Sequence, residues 1–242
     1  MGVIRFSDEE VFATDSQEYE ILFNAAKKIK GVEGAVVEIG TRRGGSAKII
    51  IDGLESNGDT NRSMFCIDPY GNIDLEITNL SAITHYPGQH DHELTGDPQS
   101  KDQNITKKFD YTNEMRNRII PSLYYYAYQR GLNFTFFCLE DTEFFKRYAD
   151  GVPVYEEFKK LENQYAFVFF DGPHVNEALQ EEIDFFLPRS VKGSVYVFDD
   201  IWMYDHDKFE KILFDNGFEI LEKQKIKASY IKTWQIFEKI VY

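Results

Sequence analysis

The chain has 242 residues, 43% hydrophobic and 16% aromatic, which is ample core material for one α/β domain with additions and excludes wholesale disorder. A formal net charge of −14 speaks against general binding to nucleic acid or to an anionic membrane, both of which want basic surface, but not against one small anionic group. Cys66 and Cys138 sit in apolar runs without metal-type spacing and read as buried thiols of a reduced compartment. Met1 to Glu10 is acidic and lacks the apolar core of a signal peptide, and the apolar runs are too short to span a bilayer, so a cytoplasmic setting is expected.

In chain order, Ser7-Asp8-Glu9-Glu10 offers a capping box for a helix over residues 8–30, with Leu22, Phe23, Ala26 and Ile29 at helical spacing and Gly31 as its stop. This N-terminal helical extension precedes the stretch Val36-Val37-Glu38-Ile39-Gly40-Thr41-Arg42-Arg43-Gly44-Gly45-Ser46, which reads as strand 35–39, a tight turn and helix 45–56. Glycine lets backbone approach a ligand closely, and the following helix start offers free N–H groups. The spacing is not that of dinucleotide binders, and Glu38 would repel a phosphate while attracting an amine or a ribose hydroxyl.

Further strands are expected at Met64–Ile67, Asn133–Leu139, Tyr165–Phe170 and Ser194–Phe198, with helices 142–148, 175–187 and 206–215. Phe218–Glu222 and Tyr230–Phe237 read as a closing antiparallel pair at the sheet edge, too close together for a helix between them. Alternating β and α with continuous apolar strands predicts a parallel sheet covered on both faces, in one domain. Residues 71–130 exceed what a crossover needs and read as a lid insertion, polar and turn-rich at first, then helical over 107–130.

Acids mark five consecutive strand ends: Glu38, Asp68, Glu140-Asp141, Asp171 and Asp199-Asp200. Ligands of open α/β sheets bind at that edge. Asp68 is placed to accept from two ribose hydroxyls. Asp141 suits an adenine amine or, equally, a helix N-cap, and Tyr70 and Phe144 offer faces for a flat base. Asp171, Asp199 and Asp200 end neighbouring strands; three converging carboxylates call for a cation, and all-oxygen ligation with room for water suits Mg²⁺. A cap role for Asp199 or Asp200 stays open.

Together with Ile67-Asp68-Pro69, Phe169-Phe170-Asp171-Gly172-Pro173-His174 and Val197-Phe198-Asp199-Asp200, the glycine stretch resembles class I S-adenosylmethionine-dependent methyltransferases, within them the family 24 and macrocin-type O-methyltransferases. The resemblance runs from about Ala35 to the C-terminus, interrupted by the insertion. It implies a Rossmann-like sheet of seven strands in the order 3-2-1-4-5-7-6, strand 7 antiparallel. It implies that Glu38, Gly40, Gly44 and Ser46, with Thr41 and Arg42, surround the methionine and ribose of S-adenosyl-L-methionine. Asp68 and Pro69 would border the ribose, Asp141 and Thr142 the adenine, and Asp171 the reacting end. It also implies the same Asp171, Asp199 and Asp200 as metal ligands. The chain departs from the family's usual Gly-Asp-Ser with Glu140-Asp141-Thr142, and from its usual polar residue at Pro173.

The expected activity is methyl transfer to a hydroxyl of a small molecule or sugar, with Asp171 and His174 as catalytic residues. His174 is a natural base because its ordinary pKa is near neutrality, or alternatively orders the loop before helix 175–187. Two rivals are a non-catalytic binder of nucleotide or S-adenosylmethionine, and an iron oxygenase using His85, His90, Asp91 and His92. The acceptor's identity and any homo-oligomeric assembly stay open at this level.

Overall fold

Continuous apolar strands call for cover on both faces, and the fold supplies it. The computed structural model of the protein describes residues 19–69, 113–173, 175–199, 204–226 and 229–236. The strands are β1 (Ala35–Ile39), β2 (Ser63–Ile67), β3 (Asn133–Phe137), β4 (Val152–Tyr155), β5 (Lys159–Glu162), β6 (Tyr165–Phe170), β7 (Ser190–Phe198), β8 (Phe218–Ile226) and β9 (Ser229–Ile236). The helices are α1 (Tyr19–Lys28), α2 (Gly45–Ser56), α3 (Asn113–Gln129), α4 (Asp141–Arg147), α5 (Asn176–Phe186) and α6 (His206–Asp215).

The main sheet has the order β3-β2-β1-β6-β7-β9-β8. Its pairs are parallel except those made by β9, which runs antiparallel to both β7 and β8. The expectation of a single sheet is corrected, because β4 and β5 form a separate two-stranded antiparallel sheet. Val152-Pro153-Val154-Tyr155 buries alternate residues, but Lys159-Lys160-Leu161-Glu162 is polar and exposed and carries no strand pattern of its own. Ser63 Oγ donates to Glu162 Oε1 at 3.1 Å and Asn133 Nδ2 to Glu156 Oε1 at 3.2 Å, tying the hairpin to the amino ends of β2 and β3.

Strand alternation divides the core. Val36, Met64, Cys66, Phe134, Phe167, Phe169, Val195 and Val197 pack under α1, α2 and α3. Val37, Ile39, Phe65, Val168, Phe170, Tyr196 and Phe198 pack under α4, α5 and α6. On that second face Phe170 and Phe198 stack at 4.5 Å, and each fully buried ring contributes roughly 1.5–3 kcal/mol of transfer free energy.

Local signals explain the helix bounds. Ile21, Leu22, Ala25 and Ala26 give α1 its buried stripe, Lys27 and Lys28 lie in its last turn, and Gly31 beyond it adopts φ +78°. The start expected for this helix, with the capping box at Ser7–Glu10, lies outside the described residues. Pro121 lies inside α3 and removes one backbone donor, yet Ile119, Leu123 and Ala127 stay buried, so packing holds the helix through it. Most of the insertion, residues 70–112 with His85, His90, Asp91 and His92, lies outside the described residues.

Strand β3 ends at Phe137 rather than Leu139, and Cys138, expected to be buried, is exposed. It lies just past the end of an edge strand, whereas Cys66 lies between β1 and β3 and is covered on both sides. Both thiols are free.

Candidate active site

The sheet's own hydrogen-bond ladder assembles the site. Four of the five parallel strands donate one residue beyond their ends: Gly40 N to Ile67 O at 3.0 Å, Asp68 N to Phe137 O at 3.1 Å, Asp171 N to Ile39 O at 3.1 Å and Asp199 N to Phe170 O at 3.0 Å. Asp68, Asp171 and Asp199 therefore share one edge with the glycine turn, the edge where open α/β sheets take ligands.

The turn itself leaves little choice of residue. Gly40 has φ +84°, and a Cβ there would collide with the Asp171 carbonyl oxygen. Gly44 has φ +74°, and a Cβ there would lie 3.1 Å from Leu123 Cδ1 and 3.2 Å from Ile119 Cγ2. Helix α3 thus rests directly on the start of α2. Between the glycines, Arg42 adopts φ +43° and its backbone N–H donates to Asp68 Oδ2 at 2.8 Å. That bond locks the turn against the end of β2.

Glu38 lies within β1, not after it, and is fully buried. Register puts it opposite Cys66, whose Sγ donates to Glu38 Oε2 at 3.2 Å. Ser46, at the start of α2, also hydrogen-bonds to the Glu38 carboxyl, and Thr41 is buried beside it. Burial outweighs these bonds and pushes the Glu38 carboxyl up to about 7. Asp68 is raised to about 7 by burial, against the lowering effect of the Arg42 N–H, with the charge of Glu38 adding to the rise. Glu38 Oε1 and Asp68 Oδ1 are buried without a donor. Such orphaned acceptors are costly unless a ligand supplies N–H or O–H groups.

Asp141 is the first residue of α4, preceded by Glu140 at the cap position. Its Oδ1 accepts the Thr142 N–H at 2.7 Å, and its Oδ2 is buried without a donor. Pro69, Thr142 and Asp171 are half-buried, and Asp199 is buried. The expectation that Phe144 offers a face to a flat base is corrected: it is fully buried, with Phe137, Tyr148 and Phe185 rings 5.0–6.0 Å away. On α4 its position one turn past Asp141 points it into the core. Tyr70, His174 and Asp200 lie outside the described residues. Among the described residues no three His, Cys, Asp or Glu side chains are grouped so as to hold a metal.

One acid was missed by sequence reasoning. Glu182 of α5 is 2% exposed, and burial, with the charges of Asp141 and Asp171 adding to it, pushes its carboxyl well above the usual range. Its signal was an acid inside the apolar stripe Leu179, Ile183 and Phe186.

Residues 37–201 match the model of a methyltransferase domain, family 24. The chain belongs to this family. It is an S-adenosylmethionine-dependent methyltransferase with a Rossmann-like α/β fold. No curated protein sequence matches the chain. Among solved structures, the methyltransferase is similar to the O-methyltransferase NovP, at 17% identity and TM-score 0.52, over 91% of this chain and 79% of that one. It is also similar to CalS11, a TDP-rhamnose 3′-O-methyltransferase of calicheamicin biosynthesis, at 11% identity and TM-score 0.56, over 89% and 77%. A third is TomG from Streptomyces achromogenes, an O-methyltransferase of tomaymycin synthesis, at 12% identity and TM-score 0.53, over 94% and 82%.

The donor set fits the family's cofactor. The methyltransferase presents orphaned, buried acceptor oxygens on Glu38, Asp68 and Asp141 along the edge that carries its glycine turn. An adenosyl group with an amino acid tail is rich in the matching donors, and its positive charges favour the ionised acids. Among the described residues, no helix is long and apolar enough to cross a membrane.

Proposed function

We propose that this methyltransferase methylates a hydroxyl of a small molecule or a sugar. The observation that carries the reading is the backbone of Asp171 pressed against Gly40, which sets a residue whose side chain can take a hydroxyl proton beside the cofactor turn. The likeness to NovP, CalS11 and TomG supports a hydroxyl acceptor. In this reading Asp68 Oδ1 accepts from the ribose, Glu38 Oε1 from a ribose hydroxyl or the amino group, and Asp141 from the adenine amine. When bound, S-adenosylmethionine supplies an electrophilic sulfonium methyl.

The protein's own residues do the rest. The Arg42–Asp68 bond orients the turn, and Ile119 and Leu123 of α3 cover Gly44 against water. As the hydroxyl attacks, its one proton passes to Asp171 or to His174. The chain acts as one methyltransferase unit, with an N-terminal extension to residue 31 and an insertion over about 71–130. The finer reading, Mg²⁺ on Asp171, Asp199 and Asp200, is supported by Phe170 pairing with Phe198, which sets Asp171 and Asp199 side by side. No step above uses the metal.

The test begins with calorimetric binding of S-adenosylmethionine, followed by transfer of labelled methyl to panels of hydroxyl and amine acceptors. Transfer to hydroxyls is expected. Cofactor binding with no transfer to any acceptor would favour a binding module, and transfer confined to amines would overturn the hydroxyl assignment. Activity lost in EDTA and restored by Mg²⁺ is expected if the three aspartates hold a metal; full activity in EDTA refutes that part.

A further inference from the structure

The β4–β5 hairpin takes no part in the mechanism above. It is tied through Ser63 and Asn133 to the amino ends of β2 and β3, so it lies at the opposite end of the strands from the glycine turn. Register sorts its side chains onto two faces. Val152 and Val154 point inward and pack in the core. Pro153 stands opposite Leu161 and Tyr155 opposite Lys159, so these four share the outer face. That face is apolar and bare: Tyr155 is 73% and Leu161 51% exposed, and Phe158, in the turn between the strands, is 81% exposed. A lone pair of strands is at best marginally stable in water, and large apolar side chains grouped on one exposed face mark a contact surface.

Charge says what covers it. The whole chain carries −14, so two copies that meet at random repel each other. The hairpin turn is locally neutral, with Glu156-Glu157 before Phe158 and Lys159-Lys160 after it. Lys160 is engaged within the hairpin, at 2.9 Å from Glu162 and 3.5 Å from Glu156. Among the described residues, Glu157 and Lys159 form no ion pair, and both are exposed. One acid and one base thus flank the exposed Phe158 ring on either side. A two-fold axis beside that ring brings each copy's Glu157 to the other copy's Lys159, the self-complementary pattern of an isologous contact. Short strands and the lysines of β5 work against pairing edge to edge, which leaves contact face to face.

We infer that the outer face of the β4–β5 hairpin is a docking surface for a second copy of this chain. Tyr155, Phe158 and Leu161 form the centre of a two-fold dimer, and Glu157 and Lys159 pair across its rim. Because the hairpin lies at the amino ends of the strands, the dimer leaves both cofactor sites open. A face this small belongs with interfaces that bury less than about 1,200 Å² and come apart readily, so the dimer forms as concentration rises.

The test is sedimentation equilibrium of the full chain from ~1 to ~500 µM, a range that spans weak, reversible association. The average mass is expected to climb from monomer toward dimer. Phe158→Ser should weaken dimerisation by about tenfold or more, since central aromatic anchors dominate such contacts. Glu157→Lys alone and Lys159→Glu alone each set like charges against each other at both rim positions, and each should weaken it by about fivefold or more at low salt. An equimolar mixture of these two variants should dimerise as well as the unmodified chain, because each then meets its opposite charge. The substituted side chains are exposed, so folding is not at stake, and unchanged calorimetric binding of S-adenosylhomocysteine checks it. A chain that stays monomeric across the range overturns the inference and leaves the face to a partner of other chemistry. A dimer that keeps its affinity in Phe158→Ser forms elsewhere on the surface and overturns it as well. A mixture of the two charge variants that associates no better than either alone refutes the two-fold pairing.

Discussion

Replacing Glu38 by Gln separates what that acid costs the fold from what it does for the cofactor. The carboxyl is fully buried and raised from 4.5 to about 7, chiefly by desolvation. In the unfolded chain it titrates near its ordinary value. Between those two pH values the folded state keeps a proton that the unfolded state has released, so stability falls as pH rises through the window and levels off above it. At ~1.4 kcal/mol per pH unit, the cost reaches ~3 kcal/mol by about pH 8. Gln carries no charge to desolvate and fills nearly the same volume beside Ser46 and Cys66. The variant is expected to match the unmodified protein near pH 4 and to exceed it by ~3 kcal/mol near pH 8. Relief of Asp68, which the Glu38 charge also raises, adds to the gain. The assay is urea unfolding of both proteins without cofactor across that range, since their difference cancels the charges they share. Affinity for S-adenosylmethionine should fall in the same variant. A stability difference that stays flat with pH, or that shrinks as pH rises, would refute the claim that burial controls this acid.

Asp68→Ala should weaken S-adenosylmethionine binding by ~1–3 kcal/mol, the loss of charge-assisted hydrogen bonds. Unchanged calorimetric affinity in the folded variant counts against the ribose assignment. Gly40→Ala should cost more than ~2 kcal/mol, because its backbone is left-handed and its Cβ would meet the Asp171 carbonyl; a thermal midpoint equal to that of the unmodified protein is the contrary result. Leu123→Ala should destabilise the protein by ~2–5 kcal/mol in urea unfolding and also weaken binding of S-adenosylhomocysteine, since the side chain packs in the core and rests against Gly44. Loss of stability with full affinity would show that α3 does not support the turn.

Much of the fold and part of the site were legible from local pattern. Val36 to Ile39, Met64 to Ile67 and Tyr165 to Phe170 announce themselves as buried parallel strands because β-sheet periodicity and apolar runs are properties of a few consecutive residues. The glycines at 40 and 44 were legible for the same reason: a strand-to-helix turn needs left-handed backbone at fixed places. Asp68, Asp171 and Asp199 followed once the strands were placed, because a strand's last residue determines the edge to which the next one belongs.

What the tertiary structure decided concerns pairing and depth, which depend on residues far apart in the chain. That Glu38 is a buried acid held by Cys66 comes from the register of β1 on β2. The same strand pattern suggested that Cys138 was buried, but β3 lies at the sheet edge and ends before that residue. Phe144 looked available for a base until α4 turned it into the aromatic cluster under the sheet. The Val152–Glu162 hairpin has only one short patterned strand and an exposed polar one, so only their pairing distinguishes it from a loop. Glu182 in sequence is one acid on a helix. Only the packing of α5 against α4 buries it, and burial with acids nearby raises its carboxyl.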